Sequence, residues 1–149
     1  MGYLLVILFI LTLNSFEASL AHVGNCFITG EYKIHINSNV NNLHIHCKSK
    51  DDDLGDQYRN TGEEYDINFC IKMDGSTIFN CQFNWESKQA QFDVFNINGK
   101  TSRSPKYCHD KSTIQVKSDC YWHVEEDGFY IPGSFDPEPN NWQKLHDWE

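Results

Sequence analysis

A strict two-residue alternation constrains this chain more than any other feature. Phe79, Cys81, Phe83 and Trp85 alternate with Asn80, Gln82 and Asn84, so every second side chain is large and apolar. A strand presents residues i, i+2 and i+4 to one face, so this is the pattern of a half-buried antiparallel strand and not of a helix. The same period runs through Tyr32, Ile34 and Ile36, through Leu43, Ile45 and Cys47, and through Ile67, Phe69 and Ile71. It returns in Phe92 with Val94, in Ile114 with Val116, and in Cys120, Trp122 and Val124. Turn-forming residues separate the runs: Asn37-Ser38-Asn39, residues 51–55, Asp74-Gly75, Asn98-Gly99 and Asp127-Gly128. Asp74-Gly75 and Asn98-Gly99 read as hairpin turns, because both dipeptides tolerate positive φ. No segment has a helical period and no internal repeat occurs. Seven or so short strands at this spacing predict an all-β fold, a β-sandwich first and a partly open barrel second.

Parity also sorts the six cysteines, at 26, 47, 70, 81, 108 and 120. None forms a CxxC pair, so a zinc knuckle or a redox dithiol is disfavoured and three disulfides are expected. Spacing alone leaves all of the roughly 15 connectivities open. Cys47, Cys81 and Cys120 share their strand face with large apolar residues and should lie between the sheets. Cys70 has the opposite parity to Ile67, Phe69 and Ile71 and should point outward. Cys26 stands just upstream of the first strand, so a Cys26–Cys70 bond would tie the N-terminal segment to the outside of the sandwich.

Disulfides require an oxidising compartment, and the N-terminus supplies the route to one. Residues 2–13 read GYLLVILFILTL, an apolar run of signal-peptide length, too short for a membrane span. Ser19-Leu20-Ala21 places small residues where signal peptidase reads, so cleavage is expected after Ala21. An uncleaved anchor would call for a Lys or Arg cluster after the run, and none follows. The expected organisation is a signal peptide at 1–21, a sandwich domain at 22–131 and a polar tail at 132–149, without membrane insertion after cleavage. With 12 Lys plus Arg against 21 Asp plus Glu, the net charge of -9 argues against nucleic acid and against anionic membrane surfaces.

The ordered pieces of the chain resemble those of the plant self-incompatibility proteins, or S-protein homologues. Ile34-His35-Ile36-Asn37 is similar to the family's first strand. His46-Cys47-Lys48-Ser49 followed by Asp51-Asp52-Asp53-Leu54-Gly55 is similar to its hallmark. Residues 62–69, 77–85 and 92–95 follow in order, then Cys108, Cys120-Tyr121-Trp122-His123-Val124 and Asp127-Gly128-Phe129-Tyr130. The resemblance covers about residues 32–131. It implies an immunoglobulin-like antiparallel β-sandwich of about 7–8 strands, small and secreted. It also implies two disulfides in a nested arrangement, Cys47–Cys120 and Cys81–Cys108. Cys26 and Cys70 are extra, Tyr65 stands where Trp is commoner, and the chain after Pro132 extends past the usual end. The family's best understood members are secreted by the stigma and act as ligands for a receptor on incompatible pollen. For this chain the resemblance implies an extracellular signalling ligand, monomeric, with a cell-surface receptor as partner.

Disulfide-stapled strands hold loops rigidly, so less ordering entropy is lost on docking. The expected contact loops are residues 51–65, 74–76, 96–105 and 117–119, with Asp51, Asp52, Asp53, Asp56, Asp74, Asn98, Arg103 and Lys117 as candidate contacts. The acidic run at 51–56, with Glu63, Glu64 and Asp66 beyond it, offers carboxylates to a hard cation but lacks the alternating spacing of a calcium loop. The preferred reading has its Asp side chains capping backbone N–H groups, Leu54 plugging the core and Gly55 at positive φ. His44 and His46 share an outward strand face; if residues 37–42 close a hairpin, His35 falls opposite His44, a weak zinc or pH-sensing trio. His109 and His123 are the residues from which a ribonuclease-like pair would be built, but the negative charge would repel RNA. No nucleophile–base motif occurs, so no catalytic residue, metal or cofactor is expected.

Parity makes Trp85 and Trp122 core residues, while Trp142 and Trp148 either fold back onto the sandwich or join a contact surface. A carbohydrate-binding module is the second function: Asn80, Gln82 and Asn84 face outward, but the aromatics of their own strand face inward. No N-glycosylation sequon is present.

Overall fold

The alternation resolves into two layers in a computed structural model, which describes residues 26, 29–97, 105, 107–111, 117–136 and 138–149. The expected signal peptide, the Ile114–Val116 run and the Asn98-Gly99 turn lie outside the described residues. The strands are β1 (Glu31–Ser38), β2 (Leu43–Lys48), β3 (Asp53–Arg59), β4 (Glu64–Cys70) and β5 (Ile78–Trp85). They continue with β6 (Lys88–Asn96), β7 (Cys108–Asp110), β8 (Lys117–Glu125), β9 (Gly128–Ile131) and β10 (Gln143–His146). A six-stranded sheet runs β10-β9-β8-β1-β4, with β7 also on β8; a four-stranded sheet runs β3-β2-β5-β6.

The inward set is the one the period selects. Ile34, Ile36, Leu43, Ile45, Phe83, Val94 and Phe129 are fully buried, with Trp122 at 1% exposure. The Trp122 indole N–H donates to the Val94 carbonyl at 3.0 Å, which satisfies the one polar atom this side chain brings inside. Phe83, Phe92, Phe129 and Trp122 fill the centre with stacked, tilted and edge-on rings 4.9–5.2 Å apart.

Several expectations need correction. β1 and β2 are not a hairpin: they belong to different sheets, and the chain crosses at residues 39–42. Buried Ser38 donates its hydroxyl to the Val40 carbonyl at 2.7 Å, and Asn42 takes φ 57, so the backbone rises out of one layer into the other. Asp74-Gly75 likewise lies between β4 and β5, in different sheets. The hairpin of β5 and β6 turns instead at Glu86-Ser87, with Glu86 at φ 53, a residue type that gives no turn signal. Residues 51–65 are not one loop, because they contain β3 and the start of β4. The antiparallel sandwich itself holds, with one parallel ladder among the described strands, between β1 and β8. A chain that visits the other sheet between these strands has the length a parallel return needs.

The disulfides are Cys26–Cys70, Cys47–Cys81 and Cys108–Cys120. The nested pairing implied by the family resemblance does not hold. Cys47 opposes Cys81 across β2 and β5, and Cys108 opposes Cys120 across β7 and β8, so each bond staples neighbours within one sheet. Parity fixes the face a cysteine occupies; it does not fix which strand lies beside it.

The described residues after Ile131 join the sandwich. β10 pairs β9, and Glu149 exchanges backbone hydrogen bonds with Gln89 of β6 at 2.8 and 3.3 Å. Trp148 packs its ring 4.5 Å from Phe129 and donates its N–H to the Glu125 carbonyl at 2.9 Å. Gly128 makes room for this strap: a Cβ there would stand 2.4 Å from the His146 carbonyl oxygen. The aromatic residues of a polar segment decide its fate, since their burial offsets the ordering entropy of the rest.

Candidate functional site

The acidic run and the β4–β5 crossing meet at one end of the sandwich, where they enclose a cleft of about 660 Å³. Its floor is apolar, from Leu54, Ile67, Phe69 and Phe79, with Ile78 exposed at the mouth. Its rim is charged: Asp51 pairs with Lys72 across the opening, and Lys117 reaches Glu31 at 3.1 Å. The Cys26–Cys70 disulfide lines the same cleft and holds the segment before β1 against the end of β4. Asp51 and Asp52 are positioned by Ser49, whose hydroxyl accepts both of their backbone N–H groups at 3.3 and 3.1 Å. Thr77 fixes the opposite wall by accepting the Lys72 N–H at 2.8 Å. Asp74 accepts from the Ser76 hydroxyl at 2.6 Å and its backbone N–H at 3.0 Å, which lowers its pKa.

The candidate contacts therefore divide. Asp51, Asp52 and Lys117 converge on the cleft and Asp74 stands beside it, whereas Asn98 and Arg103 lie outside the described residues. Asp53 and Asp56 go elsewhere, to the outer face of the four-stranded sheet. Gly55 takes φ 70 and donates its N–H to Asp53 at 2.9 Å, as the capping reading expects. Asp56 Oδ1 lies 2.8 Å from His44 Nε2 and from His46 Nδ1, while His46 Nε2 meets Asp53 Oδ1 at 2.8 Å. The hydrogen bond to Asp56, reinforced by Asp53, raises the His46 pKa. The partners of the two carboxylates, the Gly55 N–H first for Asp53 and His44 first for Asp56, lower theirs.

His35 does not join His44 and His46, because the crossing after β1 puts it on the other sheet. It lies under Tyr121, stacked at 4.7 Å, with Nδ1 2.7 Å from Glu64 and 3.1 Å from Asp66. Among the described residues, His35, Glu64 and Asp66 are the group that could hold a divalent ion, with ligating atoms within 4.8 Å of one another. Lys33 on Asp66 at 2.6 Å and Asn37 on Glu64 at 2.9 Å already satisfy both carboxylates as an ion-pair network. His109 and His123 are not brought together. They sit four ladder positions apart, about 13 Å along the strand, and stack on different rings, Phe135 and Trp142.

Sequence reasoning missed Tyr58. It stands in β3 opposite His44, 60% exposed, on a stretch whose acidic residues mask its strand character. The signal was the pair Asp56 and Tyr58 at period two.

A two-layer, disulfide-stapled sandwich with this cysteine order defines a class, and sequence comparison gives the family. Residues 33–148 match the family described as plant self-incompatibility protein S1. The chain is 28% identical to S-protein homolog 2 of Arabidopsis thaliana over 128 residues, 84% of this chain and 73% of that protein. It is 29% identical to self-incompatibility protein S1 of Papaver rhoeas over 108 residues, 72% of this chain and 68% of that one. A solved SPH (self-incompatibility protein homologue) structure, described as one of a widespread family of small, highly stable, secreted plant proteins, shares the fold. It aligns with a TM-score of 0.56 at 20% identity, covering 81% of this chain and 96% of the other. This chain belongs to the plant self-incompatibility S1 family, the small secreted S-protein homologues of plants.

Proposed function

We propose that the protein is a non-enzymatic extracellular signalling ligand that docks on a cell-surface receptor through the cleft end of the sandwich. The observation that supports this reading is the apolar floor inside a charged rim, held between a disulfide and two hydroxyl-capped turns. Desolvated apolar centres surrounded by polar rims are the anatomy of protein interfaces. A prearranged rim also reduces the ordering that docking must impose.

The test is saturation binding of fluorescently labelled secreted protein to intact plant protoplasts, comparing wild type with the double variant Asp51→Lys/Asp52→Lys. Both residues are exposed, so folding is retained, as circular dichroism would verify. Reversing two rim charges is expected to weaken saturable binding by about tenfold or more, on the scale of rim and hot-spot effects. Unchanged binding would remove the cleft from the reading, and the absence of any saturable binding would remove the receptor.

A further inference from the structure

The outer face of the four-stranded sheet carries a second surface, separate in residues and chemistry from the cleft. Four strands in register line up Tyr58, His44, Asn84 and Gln89 as one row across the sheet. The next row runs Asp56, His46, Gln82 and Gln91. Each row spans about 14 Å, three interstrand spacings.

Tyr58 of β3 supplies the outward aromatic that β5 lacks, since the aromatics of β5 face inward. Its ring leans on His44 at 4.9 Å and 34°, so it is braced from beneath while 60% of the residue remains accessible. The amides beside it are held in place. Asn84 donates to His44 Nδ1 at 3.0 Å, and Asn80 donates to Asp93 at 3.0 Å while accepting from Gln91 at 2.7 Å. Each primary amide offers two N–H donors and two acceptor lone pairs, more than these contacts use. Gln82 and Gln91 are exposed between them.

The carboxylates of this face are already engaged in hydrogen bonds. His46 lies between Asp53 and Asp56, His44 shares Asp56, and Asp93 takes the Asn80 and Asn96 amides. Lys48 opposes Asp53 at the end of the ladder. The surface therefore presents no field that would select a polyanion, and its acids would repel one. What it does present is a flat aromatic ring beside paired donors and acceptors. That combination matches a pyranose, whose axial C–H face is apolar and whose equatorial hydroxyls come in donor–acceptor pairs.

We propose that this face is a binding site for an uncharged polysaccharide, with Tyr58 stacking on one sugar ring and the amide rows hydrogen-bonding its neighbours. The site is independent of the receptor reading, because none of its residues lines the cleft.

The experiment is affinity electrophoresis and isothermal titration of the intact secreted protein against cellohexaose, xylohexaose and chitohexaose, with polygalacturonate as the charged comparison. Wild type is expected to bind at least one neutral hexaose with little salt dependence. Tyr58→Ala should weaken that binding about tenfold, the scale of one aromatic stack with its area. Tyr58→Phe, which keeps the ring, should stay within about twofold of wild type. Gln82→Ala/Gln91→Ala should also reduce affinity without altering thermal stability. The proposal is overturned if no neutral hexaose binds, if binding is confined to polygalacturonate and fades with salt, or if Tyr58→Ala binds as wild type. The protoplast assay reads the cleft separately, so failure of either idea leaves a distinct signature.

Discussion

On the six-stranded sheet, several residues that point away from the core meet a second layer of rings. His123 stacks under Trp142 at 3.5 Å, His109 stacks on Phe135 at 5.0 Å while staying exposed, and His35 is 92% buried beneath Tyr121 and its carboxylates. On the four-stranded sheet, the outward residues stay wet: Tyr58, Gln82, Gln89 and Gln91 are all exposed. Part of the difference lies in the segment after Pro132, whose Phe135 and Trp142 stack on the outer face of one layer, while Tyr58, Gln82 and Gln91 on the outer face of the other stay bare. An aromatic-bearing segment finds partners on a face that has aromatic residues to offer, whereas a face of amides and ion pairs is already content with water.

The largest test of this contrast compares the staples, one in each layer. In the chain-entropy picture, removing the Cys47–Cys81 bond with alanines costs about 4 kcal/mol and removing Cys108–Cys120 about 3 kcal/mol, because their loops span 34 and 12 residues. Guanidinium unfolding of the two double variants would read the order, and a reversed order would mean that local packing outweighs loop length. Next comes the strap. Trp148→Ala should cost about 2–3 kcal/mol, below the full core range because the ring is only partly buried. Tyr58→Ala on the bare face should stay within about 0.5 kcal/mol. Equal losses would break the contrast.

The two faces also titrate in opposite senses. His46 is bonded to Asp56 and Asp53, and its folded pKa is raised. The folded state therefore holds its proton more tightly, and this contribution is present at low pH and lost as pH rises through the folded value. His123 is half-buried under Trp142, and this desolvation lowers its folded pKa: protonation favours the unfolded chain, and stability falls as pH drops below the ordinary histidine value. Urea midpoints at about pH 5 and about pH 8 should show His46→Gln losing its acid-side gain and His123→Gln losing its acid-side penalty. The smallest effect is spectroscopic. Trp142→Ala uncovers His123, so its imidazole NMR titration should move up toward the ordinary value, while the His46 titration stays in place.

Alternation in residues 32–36, 43–47, 79–85 and 120–124 was enough to locate the strands and to put Cys47, Cys81 and Cys120 inside. It was silent about neighbours, since a two-residue period describes one strand and its faces, not the ladder beside it. Hence it sets His35 opposite His44 only if residues 37–42 close a hairpin, and it leaves the partners of Cys47, Cys81, Cys108 and Cys120 to family likeness instead of register. β3 was hidden because Asp53 and Asp56 are poor strand formers, kept in the sheet by His44 and His46 across the ladder. Asp51, Asp52 and Lys117 stand among the candidate contacts by sequence, yet the cleft they share depends on Ile67, Phe69 and Phe79, whose core role gives no hint of a floor.

The parallel pairing of β1 with β8 carries a consequence for biogenesis. β1 is flanked by β4 on one side and β8 on the other, so the second flank stays open until residues 117–125 have been made. The other layer, β2, β3, β5 and β6, is complete in sequence by Asn96. During vectorial export the first strand to arrive is thus among the last to be enclosed. A nascent chain stalled between Asn96 and Lys117 should display β1 with one edge available to folding helpers in the lumen.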